Sequence, residues 1–201
     1  MGVVWRGHNG SMAKFPHFSA VEVLRVGQRF SVYRALSRDN EPVILKTTTD
    51  KHPHMRDVRS LQRTYELLKD RAIPGMVQVE AFESEADGAT LVLRPAGDIS
   101  LAQLIKSGDA PFDLERFLDL AIKMTNALAA IHGQKILHLE ICPSNLVLDR
   151  ALSTVTFIDF CRALELESLE LGPGTMEAWT RRGRPPISGS RANRPAQLYC
   201  G

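Results

Sequence analysis

ILHLEICPSNLVLDRALSTVTFIDF, residues 136–160, holds two short apolar runs, NLVLD and TVTFID, behind a polar loop. Each run is too short for a helix and rich in branched residues, so both are expected to be strands. Asn145 opens the first run and Asp159 closes the second. Their amide oxygen and carboxylate suit Mg²⁺, a hard cation that takes one or two protein ligands beside phosphates and water.

Upstream lie helices. Asp113 is placed to cap a long one, in which Leu114, Phe117, Leu118, Ala121, Met124, Leu128 and Ile131 mark one face. Ser100 followed by Gln103 has capping-box spacing ahead of a short helix. Earlier still, the pattern is of strands. VEVLRV from Val21, FSVYRAL and PVILKT are separated by Gly27 and the Arg38-Asp39-Asn40 cluster, which predicts an antiparallel three-strand meander. Met55, Val58, Leu61, Tyr65 and Leu68 then recur at helical spacing between Pro53 and Pro74-Gly75. VQVEAFE and ATLVLR add two strands around a turn at Ala86-Asp87-Gly88.

The expected fold is therefore α+β: a strand-rich lobe with one helix, then a helical lobe with a polar loop. That arrangement suits a nucleotide held in a cleft. Lys46, ending the run PVILK, would hold its ammonium at a fixed point for phosphate oxygens.

Composition narrows the class. Hydrophobic residues at 44% and charged residues at 24% are ordinary for a globular protein. The net charge of +2 conceals a basic end: residues 171–201 carry five Arg against the single acid Glu177, leaving about −2 for the rest. The main body is thus no nucleic-acid surface. The three cysteines, Cys142, Cys161 and Cys200, lie far apart without metal-ligand spacing, so no disulfide framework is expected and a reducing cytoplasm fits. His138-x-Glu140 before Cys142 lacks the Pro-Cys-x-x-Cys partner of a zinc deaminase. No run approaches the eighteen or so apolar residues of a membrane span, and Arg6 stands where a myristoylation signal needs Ser or Thr. Residues 1–20 lack periodicity and read as a leader, with Met12 an alternative start. Residues 171–201, rich in Gly, Pro and Arg, read as a poorly ordered tail.

VGQRFSVYRA, PVILK, IPGMVQV, GDISLAQLI, ILHLEICPSNLVLD and FIDFCRALELE, in that order, resemble the motif series of protein kinases. The likeness is greatest to the serine/threonine-kinase-type domain at the front of bacterial hybrid sensor proteins. It implies a two-lobed kinase-like domain over 21–170, with a small lobe over about 21–96 and a partial, incomplete helical lobe over about 97–170. It further implies ATP and Mg as cofactors. Lys46 would contact the α- and β-phosphates, while Asn145 and Asp159 would hold the metal. Gly27 to Val32 would form the loop over the phosphates. Leu93 would back the adenine pocket, with backbone groups of Arg94 and Ala96 bonding the base.

The departures from that pattern concern catalysis. His138-Leu139-Glu140 replaces His-Arg/Lys-Asp, so Glu140 would be the base, one methylene too long; a misplacement near 1 Å costs about a hundredfold. Cys161 follows Asp159-Phe160 where Gly is typical, and Thr64 stands where the acidic partner of Lys46 is expected, with Glu66 facing elsewhere. The phosphate loop has one Gly where three are typical, and the helices that complete the family's large lobe are not found, as in a gene fragment or a disrupted frame. The resemblance therefore implies an ATP-binding domain of weak or absent activity. Its alternatives are a non-catalytic pseudokinase module acting on a signalling partner, or a truncated fragment exposing the apolar face of the 113–132 helix.

Overall fold

The computed structural model describes residues 15–49, 53–85, 88–108 and 113–166; residues 1–14 of the expected leader, the tail and the 86–87 turn lie outside them. The leader's end is structured, with Phe15 buried and Ser19 and Ala20 opening a strand. Strands β1 (Ser19–Val26), β2 (Phe30–Leu36) and β3 (Pro42–Thr48) form the predicted meander. Helix α1 (Met55–Leu68) follows, then β4 (Val79–Glu85) and β5 (Gly88–Leu93). The sheet order is β1-β2-β3-β5-β4, all neighbours antiparallel. Because β3 lies inside the sheet, every second residue must face a covered surface. Val43 and Leu45 enter one small core with Phe15, Ala35 and Val92. Lys46 points to the other side, toward α1. It lies within the strand and is 7% exposed, not at a solvated strand end.

The covered face of α1 carries Asp57, Leu61, Thr64 and Leu68, a stripe at helical spacing. Leu61 and Leu68 were legible from the pattern, whereas Met55 is exposed. Glu66 turns away and pairs with Lys69, as its position around the helix requires.

The second lobe begins with β6 (Ile99–Ser100) and α2 (Leu101–Ser107), whose first turn is closed by the Ser100–Gln103 capping box. Helix α3 (Leu114–Gly133) is capped by the Asp113 carboxylate, which accepts from the Arg116 backbone N–H at 2.8 Å. Then come β7 (Ile136–Leu137), a 3₁₀ turn at Pro143–Asn145, β8 (Leu146–Leu148), β9 (Val155–Phe157) and β10 (Leu164–Glu165). β6, β8 and β9 make one small sheet, and β10 pairs with β7 in another.

The buried stripe of α3 is Leu120, Ala127 and Ile131, with Met124 and Leu128 partly covered. This corrects the expected face. Leu114, Phe117 and Leu118 remain exposed because β9 and the Gly75 turn pack on the other stripe. The open stripe and α2 border an apolar groove of about 750 Å³.

The lobes are joined through Gly75-Met76-Val77. Phe157 donates its N–H to the Gly75 carbonyl at 2.7 Å, and Val77 donates to the Phe157 carbonyl at 3.0 Å. Backbone from the first lobe thus extends the second lobe's sheet. The cleft lies between the two. Among the described residues no helix is long and apolar enough to cross a membrane.

Candidate functional site

β8 and β9 run antiparallel with Leu146 opposite Phe157, so the residues just before β8 and just after β9 emerge at the same end. Those residues are Asn145 and Asp159, and the Ile158 N–H bonds the Asn145 carbonyl at 2.9 Å. The register therefore places Asn145 and Asp159 at one end of this strand pair. Asp159 has φ 63°, in the left-handed region that Asp tolerates better than most residues. Such a conformation persists only where the surroundings fix it.

Lys46 reaches this point from the first lobe. Its Nζ is 2.7 Å from Asp159 Oδ1, and it donates to Cys161 Sγ at 3.3 Å. Burial by itself pushes the ammonium's pKa down, but the Asp159 carboxylate and Cys161 outweigh it and hold it above the usual lysine value. For Asp159 burial acts upward, and the Lys46 ammonium overrides it and keeps the carboxyl below its ordinary value. The site at neutral pH is an ion pair. Burial, opposed by Lys46, raises the Cys161 thiol, so it stays protonated.

One amide oxygen here is left for a cation, beside a carboxylate. The Asn145 side-chain N–H donates to the Glu140 carbonyl at 3.0 Å, which turns Oδ1 the other way. Asp159 uses Oδ1 toward Lys46 and the Cys161 N–H. Among the described residues no hydrogen bond engages Asn145 Oδ1, although Asn145 is 7% exposed, while the Asp159 carboxylate also takes the Cys161 thiol. A buried carbonyl oxygen without a donor is costly, and a hard divalent cation would satisfy it. The donor set fits Mg²⁺.

His138 supports the loop from below. Its ring lies 4.5 Å from the Phe160 ring, Nδ1 accepts from the Glu140 N–H, and Nε2 donates to the Ile158 carbonyl at 2.9 Å. One acceptor and one donor nitrogen define the neutral imidazole. Burial depresses its pKa in the same sense. The Glu140 carboxylate lies 3.8 Å from the Arg162 guanidinium. Leu139 has φ 61°, an unfavourable backbone for a bulky residue, and is exposed.

The remaining expected residues belong to the first lobe and the segment that leaves it. Val32 pairs with Lys46 across β2 and β3. Gly27 is the turn residue of its loop: a Cβ there would lie 2.6 Å from the Phe30 carbonyl, which accepts the Gly27 N–H. Leu93 ends β5 and packs on the main core. The Arg94 N–H is spent on the Gln78 carbonyl at 3.0 Å, so only its carbonyl is left for a base, beside the Ala96 backbone.

Thr64, which the motif match puts at this position, does face the site: its hydroxyl donates to the Ser60 carbonyl at 2.9 Å, with Oγ1 3.7 Å from Cys161 Sγ. Sequence reasoning missed several other neighbours. Arg29 pairs with Asp57 of α1, and the Phe30 ring lies 4.8 Å from Lys46 Nζ. Asp57 had a signal, being an acid on an otherwise covered helix stripe. The Phe30 contact had none.

A strand lobe and a helical lobe meeting over a buried lysine–carboxylate pair have the organisation of the protein kinase class. The family model for the protein kinase domain matches residues 18–182, and the chain belongs to that family. The match begins just before β1 and extends beyond the last motif read from the sequence. None of the curated proteins compared with the chain matches it.

Proposed function

We propose that the chain binds Mg-ATP in the cleft between its lobes and transfers phosphate slowly or not at all. One observation carries this reading: Lys46 meets Asp159 at 2.7 Å, and among the described residues no hydrogen bond engages the oxygen of the neighbouring Asn145 amide. Lys46 would hold the α- and β-phosphate oxygens, and Asn145 with Asp159 would hold Mg²⁺. When bound, the metal would neutralise charge on the triphosphate. The Gly27–Val32 loop would cover the phosphates, Leu93 would back the base, and Arg94 and Ala96 would offer it backbone groups.

Weak activity follows from the other residues. Phosphoryl transfer depends on positioning and electrostatics. Glu140 as base is longer than Asp and faces Arg162, and no acid of α1 reaches Lys46. The motif series points to descent from serine/threonine phosphotransferases like those of bacterial hybrid sensors, in a domain spanning about 21–170 and working in the cytoplasm. A pseudokinase module that presents a surface to a signalling partner is the second reading. It is favoured by Thr64 and Cys161, which replace the usual charge and glycine around Lys46.

Equilibrium binding of a fluorescent ATP analogue in Mg²⁺ tests the proposal. Asn145→Ala and Asp159→Asn should each weaken binding by about tenfold or more, the loss of one charge-assisted or metal contact. Binding that is insensitive to both substitutions would place the nucleotide elsewhere. Labelled γ-phosphate transfer to a generic protein, abolished by Asp159→Asn, would separate an enzyme from a module.

A further inference from the structure

A lysine ammonium has three N–H donors. Those of Lys46 are directed at Asp159 Oδ1 and Cys161 Sγ, and the Phe30 ring covers it at 4.8 Å. A phosphate oxygen could reach this cation only if one of these neighbours moved. Phe30 is the neighbour on the loop, and it also packs beside Leu61 of α1 and Leu91 of β5.

The loop that carries Phe30 is tied down on both sides. Toward β3, the Thr49 N–H bonds the Arg29 carbonyl at 3.0 Å, and Thr49 Oγ1 donates to the Gly27 carbonyl at 2.9 Å. Toward α1, Arg29 Nε and Nη2 both donate to Asp57 Oδ1, at 2.8 and 2.6 Å. The Arg29 guanidinium also lies 5.1 Å from the Phe30 ring. The Asp57 side chain is only 7% exposed, and its other cation, Arg56, is farther away at 3.7 Å. Removing one partner of an ion pair whose carboxylate is nearly buried costs more than breaking a surface ion pair. α1 is in turn bonded through Ser60 and Thr64 to Cys161. A continuous set of contacts therefore runs from Asp159 through Cys161 and α1 to the loop.

We propose that the Arg29–Asp57 ion pair is a latch that holds the loop down, so that Phe30 covers Lys46 and the phosphate subsite stays closed until the latch opens. The latch is a property of the protein without nucleotide; its effect on ATP rests on the reading given under Proposed function. A ligand that needs the open loop has its apparent affinity reduced by the open fraction. Freeing the loop raises that fraction.

The test uses Arg29→Gln, Asp57→Asn and the exchanged pair Arg29→Asp with Asp57→Arg. The first readout needs no nucleotide: the rate at which iodoacetamide alkylates Cys161, relative to Cys142 in the same sample, followed by peptide mass spectrometry. Each single variant should raise the Cys161 rate about tenfold by opening the loop more often, and the exchanged pair should return it toward the original. The second readout is Mg-ATP affinity, which should tighten in the single variants. Unchanged Cys161 rates, or Mg-ATP binding weakened by Arg29→Gln, would overturn the latch. Faster alkylation with no Mg-ATP binding by any form would support the latch and sink the nucleotide reading instead.

Discussion

Lys46→Met is expected to lower stability by about 2–3 kcal/mol and to reverse the sign of its acid dependence. The magnitude follows from breaking a buried ion pair, somewhat reduced because the Asp159 side chain is 28% exposed. The sign follows from linkage. In the native protein Asp159 is held below its ordinary 3.8. Its contribution is therefore present above the unfolded carboxyl value and lost as pH falls through the folded one. Lys46 is held above 10.5, so its contribution is complete below that and lost only as pH rises through its folded value. Between these limits the pair gives a flat profile. Without the ammonium, burial dominates Asp159 and raises its pKa, so the variant should lose stability as pH rises from about 4 to about 7. Melting temperatures of both proteins across that range decide the matter. A variant whose profile parallels the native one would contradict the assigned pair.

Gly75→Ala should be at least as damaging, about 3 kcal/mol, or a drop of about 6–12 °C in melting temperature. Gly75 has φ +77°, where a side chain is strained in any surroundings. Its added Cβ would also lie 2.3 Å from Ala127 Cβ and 3.3 Å from the Val155 carbonyl. The nearest atoms belong to a packed helix and a strand, so neither can yield cheaply. Because Gly75 accepts the Phe157 N–H at the junction of the lobes, the damage should spread to the cleft. Reduced amide protection around Phe157 in hydrogen exchange would show this. A fall of under 2 °C would mean that the junction is softer than its packing implies.

How far the sequence disclosed this molecule depends on the range of each interaction. The meander, α1, the capping box at Ser100 and the Asp113 cap were legible because their signals lie within a few residues. The convergence of Lys46, Asn145 and Asp159 was legible only from the order of the motifs; their spacing alone gives no geometry. β6, β7 and β10 are two residues each and leave no periodic trace. On α3 the apolar residues cover more than one stripe, so periodicity could not choose the face that β9 and Gly75 bury. Lys46 looked like a strand end because the run after it is polar. In fact Thr47 and Thr48 continue the strand, bonding to the Ala89 carbonyl and N–H respectively. The Arg29–Asp57 pair spans 28 residues and was invisible for the same reason that it matters: it joins two elements by charge alone.

The most direct measurement of the central claim is a pair of melting curves, with and without millimolar Mg-ATP, on the native protein, Asp159→Asn and Arg29→Gln. Ligand at a hundred times its dissociation constant adds about 2.7 kcal/mol. The account predicts an upward shift of several degrees in the native protein, a larger one in Arg29→Gln, and one of about half the native size or less in Asp159→Asn. Identical curves for all three, with the nucleotide present or absent, would contradict it.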